Sequence, residues 1–103
     1  MRIAAMALIA AAAPVAAAAL EPDAERGEDL ARAWCADCHV VADESPGADV
    51  GPAFATLAPE SARSDDQLLR WLSQPHWPMP DFNLSGVEIE DLIAYIRSLD
   101  DPA

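Results

Sequence analysis

The chain has 103 residues, with 18 acidic side chains against six arginines, no lysine and a formal net charge of −12. This balance argues against nucleic acid and anionic membrane surfaces as partners, since both require a basic face. The length provides one small domain, and a core of that size needs reinforcement from elsewhere.

Residues 1–19 have the anatomy of a cleaved secretory signal peptide. Met1-Arg2 is a positive start, 3–13 is an apolar run, and 14–19 is mostly small residues, with Ala17-Ala18-Ala19 offering an A-x-A cleavage site before Leu20. A membrane anchor is the alternative, but the segment barely reaches spanning length and is mostly alanine. Cleavage would leave 20–103 as the mature domain, one unit more negative once Arg2 is gone. The expectation is an exported, periplasmic protein with no stable membrane association.

Pro22-Asp23 opens a helix, with Asp23 as N-cap and Glu25 in the first turn. Gly27, Leu30, Ala31 and Trp34 fall at i, i+3, i+4 and i+7, one helical face. Glycine inside a helix costs about 1 kcal/mol relative to alanine. Gly27 therefore marks either close approach by another helix or tolerated drift.

This helix runs into Trp34-Cys35-Ala36-Asp37-Cys38-His39, which holds both cysteines of the chain. C-x-x-C-H is the attachment signature of a c-type haem. Two thiols on one turn of chain can each form a thioether to one porphyrin vinyl group, and the next residue then lies under the ring. His39 is the expected proximal ligand of the iron. Three other readings compete. A thioredoxin-like pair needs a βαβ context, and no strand pattern is present. Zinc needs four ligands, and beyond His76 only carboxylates remain to supply them. A disulfide across two intervening residues closes a very small loop and gains little. A covalently held haem would also supply the reinforcement that so small a core needs.

Residues 40–48 form a loop rich in Asp, Glu, Ser, Pro and Gly, followed by the turn Gly51-Pro52. A ligating histidine gives its other ring N–H to an oxygen, and this turn can return a backbone carbonyl, that of Pro52, to His39. A short helical turn is expected over 53–57. Ser64-Asp65-Asp66-Gln67 is a capping box. It opens a helix with Leu68, Leu69 and Leu72 inward, which Pro75 stops. Trp71 sits on or near the inward face. Its indole N–H can reach a haem propionate, or the ring can serve as core, and core is the preferred assignment.

Three prolines then stiffen Pro75-His76-Trp77-Pro78-Met79-Pro80. Met79 is the one methionine of the expected mature chain. Its thioether is a soft ligand suited to haem iron, and His/Met ligation raises the reduction potential. A core gap-filler is the alternative, but a loop between prolines is a poor place for one. His76 is the rival ligand and is read as a surface histidine. Ser85-Gly86-Val87-Glu88 is a second capping box, with Leu84 and Ile89 as a hydrophobic staple. The last helix carries Ile89, Leu92, Ile93, Ile96 and Leu99 on one stripe, flanked by Tyr95, with Pro102 just past its end. The expected fold is all-α, with three main helices around one covalently attached haem.

Taken together, these features resemble the small class I c-type cytochromes over essentially all of the expected mature chain. Cys35, Cys38 and His39 match the attachment motif. Gly27, eight residues before Cys35, matches the helix-crossing glycine. Glu90 to Ile96 is similar to the family's C-terminal helix, with Leu92 and Tyr95 at its Leu and aromatic positions. Gly51-Pro52 matches the turn whose carbonyl accepts the proximal histidine's N–H, and Met79, forty residues after His39, matches the distal ligand. Ala31 departs from the pattern, standing where the family often has an aromatic, and Trp34 is the nearest substitute. The acidic surface also differs from the lysine-ringed haem edge of the mitochondrial protein.

The resemblance implies a haem c and its iron, and single-electron transfer between a redox donor and acceptor. The acidity suits partners with a basic docking surface, or else serves solubility alone. With both axial positions filled, no site is open for catalysis on the iron. Two other classes remain: an accessory haem subunit of a dehydrogenase or oxidase, and a ligand-binding or enzymatic haem protein with an open sixth position.

Overall fold

The computed structural model describes residues 4–5, 21–42 and 50–100. The expected signal peptide (apart from residues 4–5), most of the 40–48 loop and Pro102 lie outside the described residues. Among the described residues all regular secondary structure is helical, with no strand. No helix there is long and apolar enough to cross a membrane.

Asp23 starts α1 (Ala24–Leu30) as expected, its carboxylate accepting from the N–H groups of Glu25 at 2.8 Å and Arg26 at 3.3 Å. From Ala31 to Cys35 the helix continues in π form. One turn, α2 (Phe54–Leu57), follows the loop. Both anticipated capping boxes are present. Ser64 and Gln67 start α3 (Asp65–Ser73), and Ser85 and Glu88 start α4 (Gly86–Ser98).

α4 is the helix on which the others pack. Its buried face is Ile89, Leu92, Tyr95 and Ile96, none more than 4% exposed. Each full aliphatic burial of this kind contributes about 1.5–3 kcal/mol. Ile93, Leu99 and the staple residue Leu84 lie at the margin of this core. α1 crosses α4 at Gly27, where a Cβ would stand 2.0 Å from the Asp91 carbonyl oxygen and 2.8 Å from the Tyr95 Cβ. Gly27 is thus a close approach, not drift. Ala31 is fully buried in the same core, so the absence of an aromatic there leaves the crossing tight.

Two polar clamps hold the helices, and neither was anticipated. Asp91 on α4 is 2% exposed. It accepts from Arg26 Nε at 2.9 Å, from Arg26 Nη2 at 3.3 Å and from the Asp23 N–H at 2.8 Å. The Arg26 guanidinium holds this carboxyl below the usual carboxylate range, against the opposing effect of burial. At the other end of α4, Arg97 donates to the Leu57 and Ala58 carbonyls at 3.1 and 3.0 Å, and to the Arg63 carbonyl and Asp65 carboxylate at 2.7 Å each. The carbonyls ending α2 lack intrahelical partners, and Arg97 supplies one while tying α2 and the start of α3 to α4.

Three expected core positions are corrected. Leu68 and Leu72 are buried on α3, but Leu69 is 45% and Trp71 44% exposed. At 3.6 residues per turn, Leu69 and Trp71 lie on opposite edges of the strip defined by Leu68 and Leu72, about 80° from its centre. Among the described residues this nine-residue helix packs chiefly on α4 and buries only that strip. Trp34 is 40% exposed and stacks on Phe82, with ring centroids 5.9 Å apart, so it does not fill the α1–α4 crossing. The cause is the π segment. Its i→i+5 bonding puts extra residues into the turn and keeps Gly27, Ala31 and Cys35 in line. Trp34 is thereby rotated off the buried face.

Candidate cofactor site

The π segment delivers Cys35 into the core at 8% exposure. The next turn closes on its carbonyl, which accepts from the N–H of Cys38 at 3.2 Å and of His39 at 2.9 Å. The two cysteines are not joined in a disulfide. Burial, with a smaller contribution from Cys38, pushes the Cys35 thiol up to about 11. A thioredoxin-like nucleophile needs the opposite shift. Among the described residues no three His, Cys, Asp or Glu side chains gather as a metal site, so the carboxylates that zinc would require are not assembled there.

The chain after the loop zips onto this turn. Gly51 N–H donates to the Cys38 carbonyl at 2.8 Å and Phe54 N–H to the Val40 carbonyl at 2.9 Å. Between them, His39 Nδ1 lies 2.6 Å from the Pro52 carbonyl oxygen. A carbonyl only accepts, so the proton sits on Nδ1, and Nε2 keeps its lone pair. Gly51 makes room for this ring: a Cβ there would stand 2.3 Å from His39 Cε1 and 2.8 Å from Nε2. The glycine has no positive φ, so what it provides is space for the imidazole, not backbone freedom.

Phe54, 4% exposed, packs its ring against His39 at 5.2 Å and against Tyr95 at 6.4 Å. The Tyr95 hydroxyl donates to the Val41 carbonyl at 2.5 Å. Sequence reasoning assigned no role to Phe54. An aromatic two residues after Gly51-Pro52 was the available signal.

Met79 is half-buried against the core that includes Cys35, Val41, Phe54 and Leu72. Its N–H donates to the His76 carbonyl at 3.0 Å, a turn inside the proline-rich loop. His76 lies at the surface, its ring 4.0 Å from that of Trp71. The structure therefore brings Cys35, Cys38, His39 and Pro52 into one hydrogen-bonded unit and seats Met79 on the adjoining core. Trp71 lies outside that unit and is paired with His76.

The donor set fits a covalently attached haem: two cysteines on one turn, an imidazole with Nδ1 held by a carbonyl and Nε2 available, and a half-buried soft thioether. The fold and this donor set define a helical c-type haem protein. The comparisons with known proteins agree. Residues 22–96 match the family described as cytochrome c oxidase, cbb3-type, subunit III. Cytochrome c-552 of Bradyrhizobium diazoefficiens is 46% identical over 94 residues, 89% of each chain. No solved structure matches the chain. The chain belongs to the bacterial c-type cytochromes, with covalently bound haem c and its iron as cofactor and electron transfer as the family's activity.

Proposed function

We propose that the chain is an exported mono-haem carrier that shuttles single electrons between redox proteins of the periplasm. Cys35 and Cys38 would tether the cofactor, and His39 and Met79 would ligate its iron. The haem, when bound, supplies a one-electron ferric/ferrous couple. The observation that carries the assignment is the 2.6 Å contact from His39 Nδ1 to the Pro52 carbonyl. It sets Nδ1 as the donor and orients Nε2 as a ligand.

Met79 completes a His/Met pair, a combination that raises the reduction potential. With His39 and Met79 both bound to it, the iron would offer no place for oxygen or peroxide, which favours a carrier over an enzyme. Its donor and acceptor are proteins with basic docking surfaces, met through a small transient interface.

A second reading is an accessory subunit held permanently by a larger oxidase. The description of the matching family, subunit III of a cbb3-type oxidase, favours it. A carrier elutes alone from the periplasmic fraction, whereas a subunit co-purifies with its catalytic partner.

The ligand assignment is tested by substituting both candidates for the sixth position. Met79→Ala is expected to convert the oxidised spectrum from low to high spin and to open the ferrous iron to carbon monoxide. His76→Ala is expected to leave the spectrum unchanged. The reverse pattern would make His76 the ligand.

A further inference from the structure

Among the described residues the His39 ring makes one hydrogen bond, and one hydrogen bond is a pivot. The Nδ1–Pro52 contact fixes where the ring sits, but the imidazole plane can still rotate about it. Gly51 borders Nδ1, Cε1 and Nε2 without adding a side chain. Among the described residues the aromatic wall of this ring is Phe54, whose ring lies 5.2 Å from that of His39 at an interplanar angle of 53°.

Phe54 is itself immobilised. Its N–H is bonded to the Val40 carbonyl, its side chain is 4% exposed, and its ring is backed by Tyr95 on α4 at 6.4 Å. The Tyr95 hydroxyl in turn grips the Val41 carbonyl, two residues past His39. A rigid path thus runs from α4 through Tyr95 and Phe54 to the imidazole.

We propose that Phe54 is a positioning residue that sets the rotational angle of the His39 imidazole plane beneath the haem. This rests on His39 being the proximal ligand. A side chain that merely fills the core would influence stability alone. One that sets the ligand plane also controls how unpaired spin is distributed over the porphyrin in the ferric protein, because imidazole–iron overlap depends on that angle.

The test is proton NMR of the ferric holoprotein, comparing haem-methyl shifts of wild type, Phe54→Leu and Phe54→Tyr. Leucine keeps an apolar filler and removes the ring face, whereas tyrosine keeps the face. The expected result is a redistributed methyl-shift pattern in Phe54→Leu and the wild-type pattern in Phe54→Tyr. An unchanged pattern in Phe54→Leu would overturn the proposal. If Phe54→Leu does not accumulate with haem, the diamagnetic ferrous wild type decides. A nuclear Overhauser contact between the His39 and Phe54 rings is expected, and its absence would overturn the assignment. The ligand reading is checked separately in the same spectrum. His39 ring protons lacking a large upfield ring-current shift would show that His39 is not the ligand, and the positioning role would fall with it.

Discussion

Gly51 lacks a side chain because His39 occupies the space one would need. Alanine there would place a methyl 2.3 Å from the imidazole Cε1, inside any tolerable contact. Since Gly51 has no positive φ, backbone strain adds nothing to the cost. Overpacking of this kind costs about 1–3 kcal/mol, and relief requires the ring or the turn to move. Gly51→Ala is therefore expected to lower the denaturation midpoint and to weaken the His39–Pro52 contact. The weakened contact should be visible as a changed haem spectrum. A variant with wild-type midpoint and spectrum would show that the turn yields freely. At this scale the sequence was informative wherever chemistry is tied to spacing: Cys35, Cys38, His39 and the Pro52 carbonyl lie together as expected. It was silent on Phe54, because contact between a turn residue and a ring fifteen positions earlier depends on how the intervening loop returns.

Among the elements, α4 is the organiser, and its join to α1 rests on Gly27 and on the Arg26–Asp91 clamp. Asp91 is held below the ordinary carboxylate range, chiefly by its bonds to Arg26. A carboxyl with a depressed folded value stabilises the fold at any pH above its unfolded value of about 3.9. That stabilisation is lost as pH falls through the folded value. Asp91→Asn is thus expected to be less stable than wild type at pH 7, with the gap closing as the solution is taken below about pH 4. Urea denaturation of both proteins across that range measures it, and a gap independent of pH would mean the charge contributes nothing.

Both helix starts were legible from their capping boxes, because those signals are local in the chain. The errors arose where a helix meets its surroundings. Constant α periodicity placed Trp34 inward, and the π segment from Ala31 to Cys35 turned Cys35 inward in its place. Leu69 was placed inward as an apolar residue beside Leu68, yet among the described residues α3 packs chiefly on α4 and has one buried strip.

At the scale of the molecule, acidity is the dominant property. The chain carries a net charge of −12, which favours encounter with a basic partner and raises association rates at low ionic strength. Electron transfer to the physiological partner is expected to slow as salt rises and the Debye length shrinks from about 10 Å at 0.1 M to about 3 Å at 1 M. Stopped-flow rates over that range measure the effect, and a flat dependence would assign the acidity to solubility.

The all-α class was readable from helical periodicities and the lack of strand alternation. The clamps made by Arg97 and Arg26 were not, since charged residues on a helix give no sign of which distant carbonyl or carboxylate they will meet.

The proposed function stands on a single covalent haem held by Cys35 and Cys38 and ligated by His39 and Met79. The optical spectrum of the purified exported protein, oxidised and reduced, before and after acid–acetone extraction, tests it most directly. The expected result is haem that stays with the polypeptide, a low-spin spectrum in both states, and the weak methionine-to-iron charge-transfer band in the oxidised form. Extractable haem would contradict the tethering by Cys35 and Cys38. A covalent but high-spin haem would contradict the Met79 ligation and point to an open iron.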